Sequence, residues 1–394
     1  MTSGERRASA ALAAIYALRM LGLFIVLPVF ALEARRYPGG DDPALIGLAM
    51  GMYGLTQAFL QVPLGMASDR FGRKPVILLG LAVFVAGSAV AAWAPSVQWL
   101  VVGRALQGAG AISAAVTALL ADLTRDSVRT KAMALVGISI ALMFAISLVA
   151  APALVPHVGL SGLFTLTTAL ALAGMAVVAW VVPPAPALPA DAPRAPLREV
   201  LLQPDLMRVN VGVFVLHAVQ IMMWLSVPAL LVQAGLATER HWQVYLPAVL
   251  VSLLIMGGVL FRLERRGHFR AVYLGAIALM ALVQLGFLAL LQAPPSLAGA
   301  AALLCLYFVG FNTQEAGQPS LASRLASPRQ RGMALGVFNT LMSLGIFTGG
   351  VLGGLVLKAW GASGIFLAGT ALMLLWLAFA WRMRPVAATP SARP

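Results

Sequence analysis

Of 394 residues, 61% are hydrophobic and 10% are charged, with a mean hydropathy of +0.92, whereas a soluble domain is about 45–50% apolar. The formal charge is +14, but the bases fall in short loops between apolar runs, a distribution that argues against nucleic acid as their partner. A single cysteine, Cys305, excludes an intrachain disulfide and any cysteine-cluster metal site.

Apolar runs of about 20 residues, enough to cross roughly 30 Å of hydrocarbon, recur along the chain. Period-two alternation is absent from them, so they read as helices and not as barrel strands. Twelve spans are predicted, at 8–33, 44–67, 75–93, 97–121, 132–156, 160–183, 208–234, 240–262, 270–292, 297–323, 331–357 and 361–383. The first follows Arg6 and Arg7 and is too long for a signal core, so no cleavable signal is expected. Lys and Arg set the orientation. Twenty-one lie in loops on the side of the termini, against four, Arg35, Arg36, Arg240 and Lys358, on the other. Both termini are therefore expected in the cytoplasm. Residues 184–207 are rich in proline and alanine and read as a cytoplasmic linker between six-helix bundles at 1–183 and 208–394. No soluble domain is expected after the last span.

Ionisable groups within the hydrocarbon cost about 2.5–3.5 kcal/mol on insertion scales and mark a partner or a cavity. Taken in order they are Arg19 in span one, Arg104 in span four, His217 in span seven and Glu315 in span ten. Glu315 is the one acid well inside a span. Burial penalises its charged form and an approaching cation favours it, so it reads as a proton or cation site. A structural carboxylate among Asn312, Gln314 and Gln318 is the competing reading. Arg19 suits an anionic substrate group or a counter-charge, and His217 titrates usefully by nature. Gln57 and Gln61 share a face of span two as polar glue. Gly345, Gly349, Gly350, Gly353 and Gly354 give span eleven a small-residue face for close helix contact. Trp224, Trp242, Tyr245, Phe308 and Phe311 are candidates for an apolar cavity lining, with Gln107, Asn312 and Gln314 as its polar members. Met222 and Met223 beside His217 raise a copper reading, but gap filling explains methionine in membrane helices better, and no metal site is expected.

The loop after span two reads Gly65-Met-Ala-Ser68-Asp69-Arg70-Phe71-Gly72-Arg73-Lys74-Pro75. It resembles, at every signature position, the G-x-x-[SA]-D-R-x-G-R-[RK] loop of the major facilitator superfamily. The resemblance implies an all-α membrane protein of twelve transmembrane helices in two pseudo-symmetric six-helix bundles, working by alternating access. It makes spans one, four, seven and ten the lining of a central cavity, so that Arg19, Arg104, His217 and Glu315 would face it. It also makes Gly65, Asp69, Arg70, Gly72, Arg73 and Asp122 a conformational gate. Asp122 would pair with Arg73, and Asp69 would cap the start of span eleven, near Gly332 to Leu335, when the cytoplasmic side is shut.

Gly103-Arg104-Ala-Leu-Gln107-Gly108 resembles the superfamily's R-x-x-Q-G segment, linked in the family to proton transfer. It also aligns with Phe311-Asn-Thr-Gln314 in span ten, a weak internal repeat to which Pro28 and Pro228 add a second match. Gly137, Ser147, Ala151 and Pro152 resemble the antiporter motif of drug exporters, with Ala-Pro where the motif has Gly-Pro. Arg19 through Pro28, Ile46 through Gln57, Asp122 through Met133 and His241 through Leu246 are similar to the bacterial YajR-type transporters, proton-driven drug exporters. The namesake of that branch carries a soluble C-terminal domain whose regulation is not implied here.

The expectation is a monomeric transporter of the bacterial inner membrane, not an enzyme. It would export a small amphipathic molecule, driven by the proton gradient without a cofactor, its partners being substrate, protons and lipid. A proton-coupled importer or a facilitator of a polar solute is the nearest alternative. A non-transporting receptor or partner subunit is the alternative from another class.

Overall fold

The computed structural model describes residues 2–183, 200, 203–327 and 330–383. Among these there is no strand. Span one is two helices, α1 (Ser3–Phe24) and α2 (Leu27–Glu33). A capping box of Thr2 and Glu5 starts α1, and Pro28, lacking an N–H, accompanies the break before α2. Span two is α3 (Pro43–Phe71), capped by Asp42 with Pro43 at its first turn. Span three is α4 (Arg73–Ala92), and span four is α5 (Val97–Ala109) followed by α6 (Ser113–Asp122). Spans five and six form α7 (Asp126–Ala176), bent at Gly159. Spans seven to ten are α8 (Pro204–Gln233), α9 (Trp242–Ile255), α10 (Phe269–Leu290) and α11 (Leu297–Leu325). Spans eleven and twelve form α12 (Arg331–Ala380), bent at Gly361.

The described residues thus contain ten helices long and apolar enough to cross a bilayer, and two of these double back. Gly159 at φ 64° and Gly361 at φ 62° adopt backbone that only glycine takes at little cost. They occupy the same place in the two halves, and splitting both long helices there yields the twelve predicted passes. Of the predicted linker, only residues 200 and 203–207 fall among the described residues, and span seven begins at Pro204, four residues earlier than predicted.

The two bundles repeat their internal ties. Gln107 of span four donates to Ser88 of span three at 2.9 Å, and its aligned residue Gln314 of span ten donates to the Tyr273 carbonyl of span nine at 2.7 Å. Lys74, opening span three, donates to Val182 O at the end of span six at 2.9 Å; Arg270, opening span nine, donates to Trp381 O at the end of span twelve at 2.6 Å. Glu5 ties the start of span one to Arg125 after span four, and Gln203 ties the start of span seven to Leu325 O of span ten. Around this fold, Trp93, Trp99 and Trp360 stand exposed at one end, and Trp180 and Trp381 at the other. Two aromatic belts of this kind sit at the two bilayer surfaces.

Between the halves, backbone meets backbone. A Cβ on Gly47 of span two would lie 2.2 Å from Gly350 O of span eleven, and one on Gly54 would lie 2.3 Å from Ser343 O. Span eleven's other glycines seat on span seven: a Cβ on Gly345 would meet Phe214 O at 2.3 Å, and one on Gly349 would meet Ala218 O at 2.3 Å. The seam lies toward the end that the charge count assigns to the outside, called the outer end below. At the inner end, Cβ positions on Gly332 and Gly336 of span eleven meet nothing within 4 Å. The molecule is closed at its outer end and parted at its inner end.

Candidate functional site: the cleft between the halves

The cleft has a roof of aromatic rings. Phe24 of span one packs edge-on to Phe144 of span five at 5.3 Å, and Phe144 to Phe308 of span ten, in the other half, at 6.3 Å. Tyr307 links Phe308 to Phe311, and Phe311 packs on His217 at 6.1 Å. Phe308, Phe311 and Glu315 are spaced i, i+3, i+7, so they share one face of span ten. Phe308 on that face touches the opposite half, and Glu315, two turns inward, therefore faces the opened cleft. Its side chain is 46% exposed.

The His217 ring is oriented by its own helix. Nδ1 lies 3.0 Å from Val213 O, an acceptor, so Nδ1 carries the hydrogen. That leaves Nε2 toward Glu315 Oε2 at 3.5 Å, within ion-pair range. A carboxylate against an imidazole lone pair is repulsive, and one proton between them removes the repulsion in either of two ways, as a carboxylic acid or as an imidazolium–carboxylate pair. The pair is a candidate proton-bearing element.

The expectation that Arg19 and Arg104 face the cavity is corrected. Arg19 is 1% exposed and Arg104 2%; both are held inside the wall of the N-terminal half. Arg19 donates to Tyr53 OH at 3.0 Å and Ser113 Oγ at 3.3 Å, with its guanidinium 5.5 Å from the Phe84 ring centre. Arg104 donates to Gln107 Oε1 at 2.9 Å and lies 5.0 Å over the ring of Tyr53. Tyr53 thus serves both cations, with its oxygen for one and its π face for the other. The sequence reading passed over it, although a tyrosine amid Gly-Met-Tyr-Gly in a membrane helix was a visible signal. Among the described residues no carboxylate pairs with either arginine.

Several other predicted cavity members also turn out to be wall. Gln107 is fully buried between Arg104 and Ser88, and Gln314 points to span nine. Trp224 is 5% exposed and packs on Tyr245. Asn312 donates to Ser252 Oγ of span eight at 2.7 Å, and Phe311 belongs to the roof. Met223 Sδ accepts from Gln284 Nε2 at 3.1 Å, which places it in packing and not beside His217 as a ligand. Gln57 and Gln61 are buried and bond to each other at 3.5 Å.

The residues expected to form a gate lie together within the N-terminal half. Gly72, at φ 93°, makes the turn between spans two and three. Arg73, 7% exposed, donates through Nε to Asp122 at 3.0 Å and through Nη1 to Ser68 Oγ at 2.8 Å, and also pairs with Asp69. Ser68 Oγ in turn donates to Gly65 O at 2.7 Å. Arg70 is exposed and lies over Phe71. The predicted Arg73–Asp122 pair is present. The predicted seat of Asp69, the start of span eleven, stands open on its glycine side in this parted state.

Two pseudo-symmetric six-helix bundles, the charged loop between spans two and three and a cleft holding His217 and Glu315 are the architecture of a membrane transporter. The sequence pattern of the Major Facilitator Superfamily matches residues 12–325 and 265–394. The chain belongs to that superfamily. It is 39% identical over 388 residues, 98% of its length and 85% of the relative's, to the inner membrane transport protein YajR of Escherichia coli (strain K12). It is 29% identical to the multidrug resistance protein MdtH of Aeromonas salmonicida (strain A449), over 85% of this chain and 84% of that one. The fold is similar to that of the nucleoside transporter NupG, with a TM-score of 0.78 at 12% identity, covering 95% of this chain and 99% of that chain.

Proposed function

We propose that the protein exports small amphipathic molecules across the bacterial inner membrane in exchange for protons, with both termini in the cytoplasm and the cleft of this structure open to the cytoplasm. The observation that carries the reading is a half-exposed cleft carboxylate, Glu315, facing His217, whose other ring nitrogen lies against a backbone carbonyl. In the outward-open state the pair takes a proton; in the inward-open state a substrate reaching the half-exposed carboxylate displaces it. The names of YajR and MdtH support the membrane and the direction. The protons and the substrate are small partners meeting at one site, and no cofactor enters the cycle.

The test uses proteoliposomes with an imposed pH gradient and a panel of lipophilic cations, dyes and small sugars, comparing wild type with Glu315→Gln. Collapse of the gradient by a compound in wild type but not in the variant supports coupled antiport. Solute movement without proton flux in wild type overturns it in favour of facilitated diffusion, the alternative kept open by Ala151-Pro152 in span five.

A further inference from the structure

Span four is broken partway across the membrane. Helix α5 ends at Ala109, residues 110–112 belong to neither helix, and α6 starts afresh at Ser113 with no side chain capping it. The first N–H groups of a helix lack partners of their own and carry partial positive charge. Arg19 of span one is aimed at this start. Its Nη1 donates to Ser113 Oγ at 3.3 Å, and its Nη2 reaches Gly110 O at 3.5 Å. The side chain is 1% exposed and its Nε has no hydrogen-bond partner. Among the described residues no carboxylate answers its charge.

A buried guanidinium against a helix N-terminus sets positive beside positive, an arrangement that an anion completes. The way in is from the cleft. Helix α6 packs on spans one, two and three and on the helix of spans five and six, all in its own half. The exposed side chain of Thr117, one turn inward of the partly exposed Ser113, therefore looks into the cleft. Hydroxyl protons can be assigned. Tyr16 gives its one proton to Ser113 O at 2.7 Å, so Thr117 donates to Tyr16 at 2.9 Å. Ser113 Oγ accepts from Arg19 and keeps its own proton to donate. We propose that the break in span four is a carboxylate subsite. An acid group of the transported molecule lodges at the start of α6, accepting from Ser113 Oγ and the first N–H groups, with Arg19 behind them as counter-charge. The cargo thus carries an acid beside its apolar body. The inference rests on the cleft being the substrate's path and not on proton coupling, so failure of the Glu315 test leaves it standing.

The experiment modifies one cysteine, Thr117→Cys in a Cys305→Ser background, in lipid nanodiscs without a pH gradient. Two methanethiosulfonates are compared, one bearing a sulfonate and one a trimethylammonium, with their rate ratio on β-mercaptoethanol as the reference. The sulfonate should gain at least about ten-fold over that reference, the scale on which a charged cleft concentrates counter-ions. Arg19→Gln should remove the gain. Sodium benzoate should slow modification by an uncharged methanethiosulfonate in a saturable way, and benzyltrimethylammonium should not. Ser113→Ala should weaken the protection by benzoate. That variant keeps the buried guanidinium and its bond to Tyr53, so it decides the matter even where Arg19→Gln fails to fold. A rate ratio equal to the reference in the protein with Arg19 intact would overturn the subsite. So would equal effects of benzoate and benzyltrimethylammonium, or protection by benzoate that Ser113→Ala leaves untouched.

Discussion

Gly47→Ala is the most direct probe of the seam. The added Cβ would sit 2.2 Å from Gly350 O and 2.7 Å from Gly354 Cα. Both obstacles are backbone, so no rotamer change relieves them, and spans two and eleven must separate. Overpacking of this kind costs about 1–3 kcal/mol. Because the contact exists only while the outer end is shut, the cost falls on that state alone and shifts the equilibrium toward outer-open about 5- to 150-fold. Leu225 lies on the opposite half and is 2% exposed, lining with Ile46 and Leu357 a crevice of only ≈ 10 Å³. A Leu225→Cys probe in the Cys305→Ser background, labelled with a membrane-impermeant maleimide from outside, should react at least several-fold faster in Gly47→Ala. Gly137→Ala is the control, because its Cβ meets nothing within 4 Å. If Gly47→Ala folds, melts like wild type and labels no faster, the seam is not what shuts the outer end.

Arg73→Ala should lower thermal stability by about 2 kcal/mol; it strands a buried-side Asp122, but both carboxylates are partly exposed, which tempers the loss. Arg73→Lys should recover little, because one ammonium cannot reproduce donation from two guanidinium nitrogens; detergent melting curves decide both. Gln284→Leu should leave the melting temperature unchanged or raise it, since Gln284 is fully buried with its Oε1 unpaired and only a methionine sulfur as acceptor for its amide. A fall of several degrees would show that the amide has a use not visible here. Asp42 has its acidity strengthened by the Ala44 N–H and then by Lys358. A carboxylate with a lowered pKa keeps its contribution until pH falls through that lowered value. Acidifying from pH 7 to about 5 should therefore leave the Asp42–Lys358 pair intact, read as an unchanged distance between spin labels at Pro38→Cys and Ala359→Cys, and a shift beginning near pH 6 would contradict this.

The passes were legible because hydrocarbon thickness sets a length that the apolar runs match, even where Gly159 and Gly361 join two passes into one long helix. The Arg73–Asp122 pair was expected from the resemblance of the charged loop after span two, whose bases stand out in a chain that is 10% charged. What the sequence withheld is the rotation of each helix about its axis. A soluble helix shows its inner face by polarity on the other side, but here lipid and core both select apolar residues. Arg19 and Arg104 could thus be assigned to the right spans and still be given the wrong face. For Glu315 too the face comes from the structure, where Phe308 on the same stripe of span ten touches Phe144 of the other half. The glycines of span eleven were visible at once; their counterparts Gly47, Gly51 and Gly54 on span two were equally spaced for close approach and were overlooked in favour of Gln57 and Gln61.

The seam also bears on the bilayer itself. Two bundles joined along one end and parted at the other occupy less area in one leaflet than in the other, so the molecule is a wedge whose taper reverses each time it switches. Lateral pressure in the membrane therefore favours one taper, with no net work over a full cycle. Lipids with small headgroups, which crowd the chains and relieve the surface, will weight one taper against the other. The composition of each leaflet becomes a control on the cycle that needs no binding site.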